Sequence, residues 1–342
     1  MILAGDIGGT HTRIALFELN QNRLNKILDR VYPSRDYKSV DEIISLFVSN
    51  ENVRVSAACF GIAGPVMHGQ VSTPNLAWVV DALQLTKLLQ VQTVWLINDL
   101  QAHASGIHDL ESADFIHLNN TAVGEGNAAL IAAGTGLGEA GLYWDGNLHH
   151  PFACEGGHCD FAPRDELEME LWRYLNKKFG RVSYERILSG PGLHNVYEFL
   201  RDSGTEQEPD WLKEELQQAS DPTVIISHVG MNGKAAICEH ALDIFVSVYG
   251  AEAGNLALKL LATGGVFLSG GIAARILPRL QRPAFLQAFI SKGRMQPVLE
   301  KIAVKVINND QVGVIGAARY AAQRMITVAA SVKFQGVPGS QS

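Results

Sequence analysis

The chain opens on an apolar run, Ile2-Leu3-Ala4-Gly5, that ends at Asp6 and after Ile7 gives way to Gly8-Gly9-Thr10. A second apolar run leaves over residues 12–17. Apolar segment, Gly-rich tip, apolar segment predicts a β-hairpin. The pattern returns at 128–144, where Ala-Ala-Leu-Ile-Ala-Ala meets Gly134-Thr135-Gly136-Leu137-Gly138 and an apolar run continues to Trp144. Two hairpins of one type in the two halves predict an internal duplication. A third Gly-rich turn, Gly270-Gly271, follows the apolar run 265–269. Further strand-like runs lie at 54–61, 93–98 and 302–307. Helical periodicity appears at about 39–49, 81–90, 165–179, 190–202, 233–262 and 312–326. Strands and helices alternate, so the class is α/β.

The stretch 165–262 is almost wholly helical in pattern and reads as an insertion on the second half. Residues 203–209 read as an exposed loop. The tail from Ser331, with Gly336, Pro338 and Gly339, reads as disordered. The helix near 312–326 is placed to cross back and cap the first half. The expected division is a small α/β domain of 1–109 plus 311–330, a large domain of 110–310 and a tail of 331–342.

Composition narrows the class. The chain has 342 residues, 47% hydrophobic and 18% charged, with a net charge of −7. An acidic chain is a poor partner for nucleic acid or an anionic membrane over a broad face. A phosphate ligand must then be held by backbone dipoles, a metal or a few Lys and Arg. No apolar run approaches about 18 residues, so no membrane span is expected. No basic segment precedes the strand beginning at Ile2, so no signal peptide is expected. Four cysteines form no dense framework, which points to reduced thiols in a cytoplasm. Cys154, His158 and Cys159 match no Cys-x2-Cys spacing, and zinc is not expected there.

The hairpin tips carry the first candidate chemistry. Glycines let backbone N–H groups approach a phosphate, and Asp6 at a strand end can hold Mg²⁺, directly or through water. An ordinary tight turn explains Gly8-Gly9-Thr10 equally well taken alone; recurrence favours a phosphate-binding role. No Walker loop is present. Gly136, Gly138 and Gly141 match a dinucleotide fingerprint formally, but Leu142-Tyr143-Trp144 runs into an Asp-Gly turn and opens no helix.

Val94–Asn98 is an apolar strand ending in Asn98-Asp99. Ligands bind beyond the carboxyl ends of such strands, which makes Asp99 a candidate base; helix capping accounts for Asn98 or Asp99 just as simply. Glu155-Gly156-Gly157-His158 puts a carboxylate and an imidazole on one tight turn, both able to bond a polyol. Ser183–Leu188 reads as a short helix stopped by Gly190-Pro191-Gly192, with Ser183 as its cap and Glu185 in its first turn.

These strings together resemble the bacterial glucokinases of the hexokinase/actin/Hsp70-like superfamily. The resemblance rests on Asp6-Ile7-Gly8-Gly9-Thr10, Ile97-Asn98-Asp99, Ala133–Gly138, Glu155–Pro163 and Glu185–Gly192, in the family's order. It implies a two-domain actin-like ATPase (ribonuclease H-like) fold closing an interdomain cleft on glucose and ATP. The implied reaction is phosphorylation of the glucose 6-hydroxyl, the first step of glycolysis. By similarity Asp99 is the general base. Asn98, Asp99, Glu155, His158 and Glu185, joined by Asn75, are the sugar ligands. Asp6, Gly8, Gly9, Thr10, Gly134, Thr135 and Gly136 form the phosphate and Mg²⁺ site, and Gly270 and Gly271 the adenosine-side turn. A homodimer is implied by the same resemblance. His11 and Glu139 depart from the family pattern; Glu139 would repel phosphate, so it is expected to point away. A kinase for another hexose or an N-acylated hexosamine is the alternative on the same fold. A sugar-sensing regulator would need a DNA-binding module before the first strand and a less acidic chain.

Overall fold

The computed structural model describes the chain apart from Asn52, Pro74, Asn75 and residues 336–342, and for 327–335 it describes the backbone alone. The chain divides into two compact units, 1–112 with 309–342, and 113–308. Asn75, expected among the sugar ligands, lies outside the described residues.

In the first unit β1 (Ile2–Ile7) and β2 (His11–Asn20) form the predicted hairpin, and β3 (Arg23–Pro33) extends it. Then come β4 (Ala57–Ile62), a small hairpin of β5 (Gln70–Ser72) and β6 (Val79–Asp81), and β7 (Val94–Asn98). The sheet order is β3-β2-β1-β4-β7. β2 is antiparallel to both β1 and β3, while β4 and β7 run parallel to β1. β3 had no clear period-two signal: it lies at the edge and is mostly exposed.

Period two sorts the side chains of this sheet. Leu3 and Ile7 face a core with α1 (Val40–Glu51), which contributes Ile43, Ile44 and Phe47, and with Leu85 of α2 (Ala82–Leu89). Ile2 and Ala4 face the other side, with Ala15, Phe17, Cys59 and Ile97. Asp6 continues that second row. α3 (Asp99–Gly106) begins directly after β7.

The second unit holds β8 (Phe115–His117), β9 (Ala128–Ala133), β10 (Leu137–Trp144), β11 (His149–Cys154), β12 (Val266–Ser269) and β13 (Val304–Ile307). Its order is β11-β10-β9-β12-β13-β8. Again three antiparallel strands are followed by two parallel ones, with β8 added at the edge. The duplication read from the two hairpins therefore extends to whole sheets.

Five helices follow in the segment expected to be helical. They are α4 (Glu166–Phe179), α5 (Gly190–Asp202), α6 (Asp210–Gln218), α7 (Pro222–Met231) and α8 (Ala236–Leu260). α8 is buried over most of its length and lies in the main core with Leu171, Tyr197 and Phe285. Short helices α9 (Gly271–Arg275), α10 (Leu277–Leu280), α11 (Pro283–Ile290) and α12 (Gln296–Leu299) lead to β13.

The last helix, α13 (Val312–Gln335), returns to the first unit. Val314, Ala317, Ala318, Ala321 and Ala322 cover the Ile2/Ala4 face of the sheet. Gly106 and Gly316 let α3 and α13 nearly touch: a methyl on Gly106 would lie 3.0 Å from the Gly316 nitrogen. Arg319 fixes the packing with an ion pair to Asp109 and a bond to the Asn22 carbonyl. The helix backbone runs past Ser331 to Gln335, where the sequence suggested a disordered tail; the remaining 336–342 lie outside the described residues.

Candidate active site

In the first unit the glycine tip is tightly tied. The Gly8 amide donates to the His11 carbonyl at 3.0 Å. Ser34, fully buried, donates its hydroxyl to the Gly8 carbonyl at 2.8 Å, and its amide donates to the Thr10 carbonyl at 2.9 Å. Thr12 Oγ1 lies 2.9 Å from Ser34 Oγ. Ser34 escaped the sequence reading because it acts across 26 residues and lies in no motif.

Asp6 sits where the row Ile2-Ala4-Asp6 reaches α3 and α13. A methyl on Gly313 would come within 2.5 Å of Asp6 Oδ2. His103 Nε2 stands 4.0 Å from the same oxygen. His103 lies one helical turn after Asp99, so both project from one face of α3. Burial raises the Asp6 carboxyl to about 6, with Arg13 opposing. Burial also raises Asp99; His103 opposes and Asp6 adds to the rise. Burial holds His103 below its ordinary range against the pull of Asp99. At neutral pH the imidazole is therefore uncharged, and its approach to Asp6 is not an ion pair. The Asp99–His103 spacing was visible in the sequence, but nothing there brought Asp6 to it.

Asn98 caps α3. Its Oδ1 accepts from the Leu100 amide at 2.9 Å, and its Nδ2 donates to the Gly64 carbonyl at 3.3 Å. Asp99 Oδ1 also lies 2.9 Å from the Leu100 nitrogen. The capping alternative for Asn98 thus holds in this structure.

In the second unit the turn between β9 and β10 is closed by the Gly134 amide, which donates to the Gly136 carbonyl at 2.8 Å. Gly190, at the start of α5, donates to the Gly134 carbonyl at 2.8 Å. Gly8, Gly134 and Gly136 all stay outside the left-handed region; among the named turn residues Gly270 enters it, at φ +88°. Space at 136 is short. A methyl there would lie 2.5 Å from Glu185 Oε2, the oxygen that accepts the Leu137 amide at 3.0 Å. Gly136 thus leaves room for Glu185, a neighbour that the sequence did not reveal.

His158 stands between two carboxylates, with Nε2 3.9 Å from Glu155 Oε2 and Nδ1 3.9 Å from Glu185 Oε1. Glu155 precedes and His158 ends a short 3-10 turn, Gly156–His158, and both side chains are more than half exposed. Glu185 is about a third exposed, on the 3-10 turn Tyr184–Arg186. The expected Ser183 cap is not formed; Ser189 instead caps α5 through the Gly192 amide at 3.0 Å. Gly190-Pro191-Gly192 opens α5 rather than stopping a helix, because proline in a first turn gives up no helical bond. Asp160 and Arg164, also on this stretch, are taken by Arg181 and Glu168. Gly270 separates β12 from α9, and Gly271 is the first residue of that helix.

A meander of three strands followed by two parallel strands, built twice in one chain, is the architecture of the actin-like ATPases, and that is the fold class here. Within it the Glucokinase family model matches residues 3–324. The glucokinase of Nostoc sp. (strain PCC 7120 / SAG 25.82 / UTEX 2576) is 42% identical over 339 residues, spanning 94% of this chain and 99% of that protein. The Synechocystis sp. (strain ATCC 27184 / PCC 6803 / Kazusa) glucokinase is 39% identical over 346 residues, spanning 94% and 98%. A glucokinase structure from an Antarctic psychrotroph superposes with a TM-score of 0.82 at 29% identity, covering 94% of this chain and 98% of that one. A ROK family glucokinase from Streptomyces griseus, solved with glucose and AMPPNP, shares the fold at a TM-score of 0.64 and 19% identity, covering 94% and 99%. The chain belongs to the glucokinase family.

Proposed function

We propose that this chain transfers the γ-phosphoryl group of ATP to the 6-hydroxyl of D-glucose, with Asp99 as general base. The observation that carries the sugar half is His158 held between Glu155 and Glu185. Three side chains rich in donors and acceptors, on two turns tied to one hairpin, suit a polyol. With Asn98 and Asp99 they form the glucose set. Asp6, Gly8, Gly9, Thr10, Gly134, Thr135 and Gly136 attend the phosphates, and Gly270 and Gly271 the adenosine side.

Asp99 accepts the proton of the 6-hydroxyl as the oxygen attacks the γ-phosphorus. The bond from that phosphorus to the β-phosphate oxygen breaks, ADP leaves, and Asp99 returns the proton to solvent. Asn98 holds Asp99 at the helix start by fixing the Leu100 amide. Water competes with the sugar hydroxyl for the same phosphoryl group, so the transfer requires that water be excluded from the reacting groups.

The residues also fit Mg²⁺ carried on ATP. Asp6 is a hard oxygen donor whose recessed carboxyl is raised by burial, so its ionised form gains from a cation. Mg²⁺ bound through one carboxylate and the substrate's phosphates needs no cage of protein ligands. Among the described residues no group of three or more His, Cys, Asp or Glu is arranged as such a cage. When bound, the ion neutralises charge on the phosphates.

ADP release measured against a panel of hexoses and N-acylated hexosamines tests the reading. Glucose should give the highest kcat/KM; preference for another sugar would install the alternative. A cytoplasmic site and a homodimer belong to the same reading. The four cysteines are free, and no helix among the described residues is long and apolar enough to cross a membrane.

The raised carboxyls give a pH prediction. Asp99 must be ionised to act, so kcat/KM for glucose should fall as pH drops through its folded pKa. That acid limb should lie above the ordinary carboxylate range, since burial raises Asp99 and Asp6 adds to the rise. Without Mg²⁺ or ATP, where Asp6 faces no metal cation, Asp6→Asn removes one like charge and leaves the burial. The Asp99 titration followed by carboxyl NMR should then move to lower pH while staying above the range of a free carboxylate. A titration that does not move in the variant would separate Asp6 from Asp99.

A further inference from the structure

We propose that Glu139 and Glu252 form a buried carboxyl–carboxylate pair sharing one proton, and that this pair holds both sugar-binding turns in place. Glu139 is then a positioning residue for glucose. The inference rests on the glucokinase reading for its sugar, but not for its mechanics.

Glu139 lies on β10 two residues beyond Leu137, so it faces the same side of the sheet, toward the core that contains α8. It is 1% exposed, and its Oε1 has no hydrogen-bond partner among the described residues. Its other oxygen, Oε2, packs on the sugar loop: a methyl on Gly156 would overlap it. Residue 156 is thus bare because Glu139 occupies the space beneath it. Gly156 is flanked by Glu155 and lies two residues before His158.

Glu252, fully buried on α8, is the second member. Its Oε1 accepts from Lys259 Nζ at 3.1 Å and its Oε2 from Asn255 Nδ2 at 2.8 Å. Asn255 Nδ2 also donates to the Tyr184 hydroxyl at 3.0 Å, and Lys292 Nζ donates to Asn255 Oδ1 at 2.6 Å. Tyr184 immediately precedes Glu185. One carboxylate cluster therefore lies under both turns, Glu139 beneath 155–158 and Glu252 behind 184–186.

The placing of the cations calls for the proton. Lys259 bonds Glu252 and Lys292 bonds Asn255 beside it, while neither donates to Glu139. A buried carboxylate oxygen with no partner is costly when ionised. A neutral Glu139 avoids that cost and lets its O–H donate to Glu252. Burial first, then Glu252, raises the Glu139 carboxyl to about 8, with Lys259 opposing. Lys259 loses by burial but gains more from Glu252, so it keeps its charge. The other titratable groups facing Glu139 are Tyr249 from α8 and Cys154 from β11, both shifted upward by burial and by Glu139 itself. Tyr184 and Lys292 face Glu252, and Cys159 faces Lys259. None supplies a second positive charge at Glu139.

Above its pKa the pair becomes two adjacent buried charges under a glycine loop. Repulsion then displaces the turns that present Glu155, His158 and Glu185. The wild-type KM for glucose should rise roughly tenfold between about pH 7 and about pH 9, following the fall of the protonated fraction, with little change in kcat. Glu139→Gln keeps the shape and a donor but cannot ionise. It should keep the low KM and lose the rise. Glu139→Ala should raise KM at every pH. Backbone amide exchange at 155–158 and 184–186, measured without sugar or nucleotide, reads the platform directly. It should quicken at high pH in the wild type, stay slow in the Gln variant and be fast throughout in the Ala variant. A wild type that leaves all hexoses unphosphorylated, with this exchange pattern present, would sink the glucokinase reading and spare the platform. The same alkaline rise of KM in the Gln variant, or identical exchange in all three proteins, would overturn the platform itself.

Discussion

Asp99→Asn should lower kcat by about 10²-fold or more while glucose still binds. The change keeps the size and the hydrogen-bonding outline of the side chain and removes its basicity. The Leu100 amide, which lies 2.9 Å from both Asn98 Oδ1 and Asp99 Oδ1, keeps Asn98 as its acceptor, so the helix start survives. A loss of turnover is then a loss of chemistry and not of structure. Calorimetric titration with glucose alongside steady-state kinetics makes the check. Turnover near wild type in the Asn variant would remove Asp99 from the mechanism.

The second large effect is at Gly136. Gly136→Ala puts a methyl 2.5 Å from Glu185 Oε2, closer than side chains pack. Glu185 must swing away, which leaves the Leu137 amide without its acceptor and takes one carboxylate from His158. Glucose affinity should weaken by about 1–3 kcal/mol, the cost of a broken buried hydrogen bond. Gly134 is the control, because nothing lies within 4 Å of a methyl there. Gly134→Ala should leave glucose affinity intact and weaken ATP alone if the turn attends phosphate. Equal glucose affinity in both variants would mean that Glu185 does not bind the sugar.

How much of this was legible in the chain can be judged from particular residues. Local signals carried far: the two hairpins, the apolar strand ending in Asn98-Asp99 and the helical tract after residue 165 need only nearby residues to declare themselves. The failures share a cause. Ser34 holds the Gly8 carbonyl from 26 positions away. Glu139 meets Gly156 through tertiary packing, and no period in the sequence pairs them. β3 is an exposed edge strand, so burial imposes no alternation on it. Gly136 is the instructive case: the sequence singled it out for a phosphate's approach, and the fold adds a second close neighbour, Glu185. A glycine reports that something is close, and only the fold says what.

The first unit is made from the two ends of the chain, with 113–308 between them. Its sheet is complete once β7 has emerged from the ribosome, yet Val314, Ala317 and Ala321, which cover one face, are translated roughly 200 residues later, about 10–40 s at ordinary elongation rates. Through that interval Ile2, Ala4, Ala15, Phe17 and Ile97 lack their α13 cover, while the whole of the second unit is synthesised. The order of assembly is thereby reversed from the order of synthesis: the first unit to begin is the last that can finish.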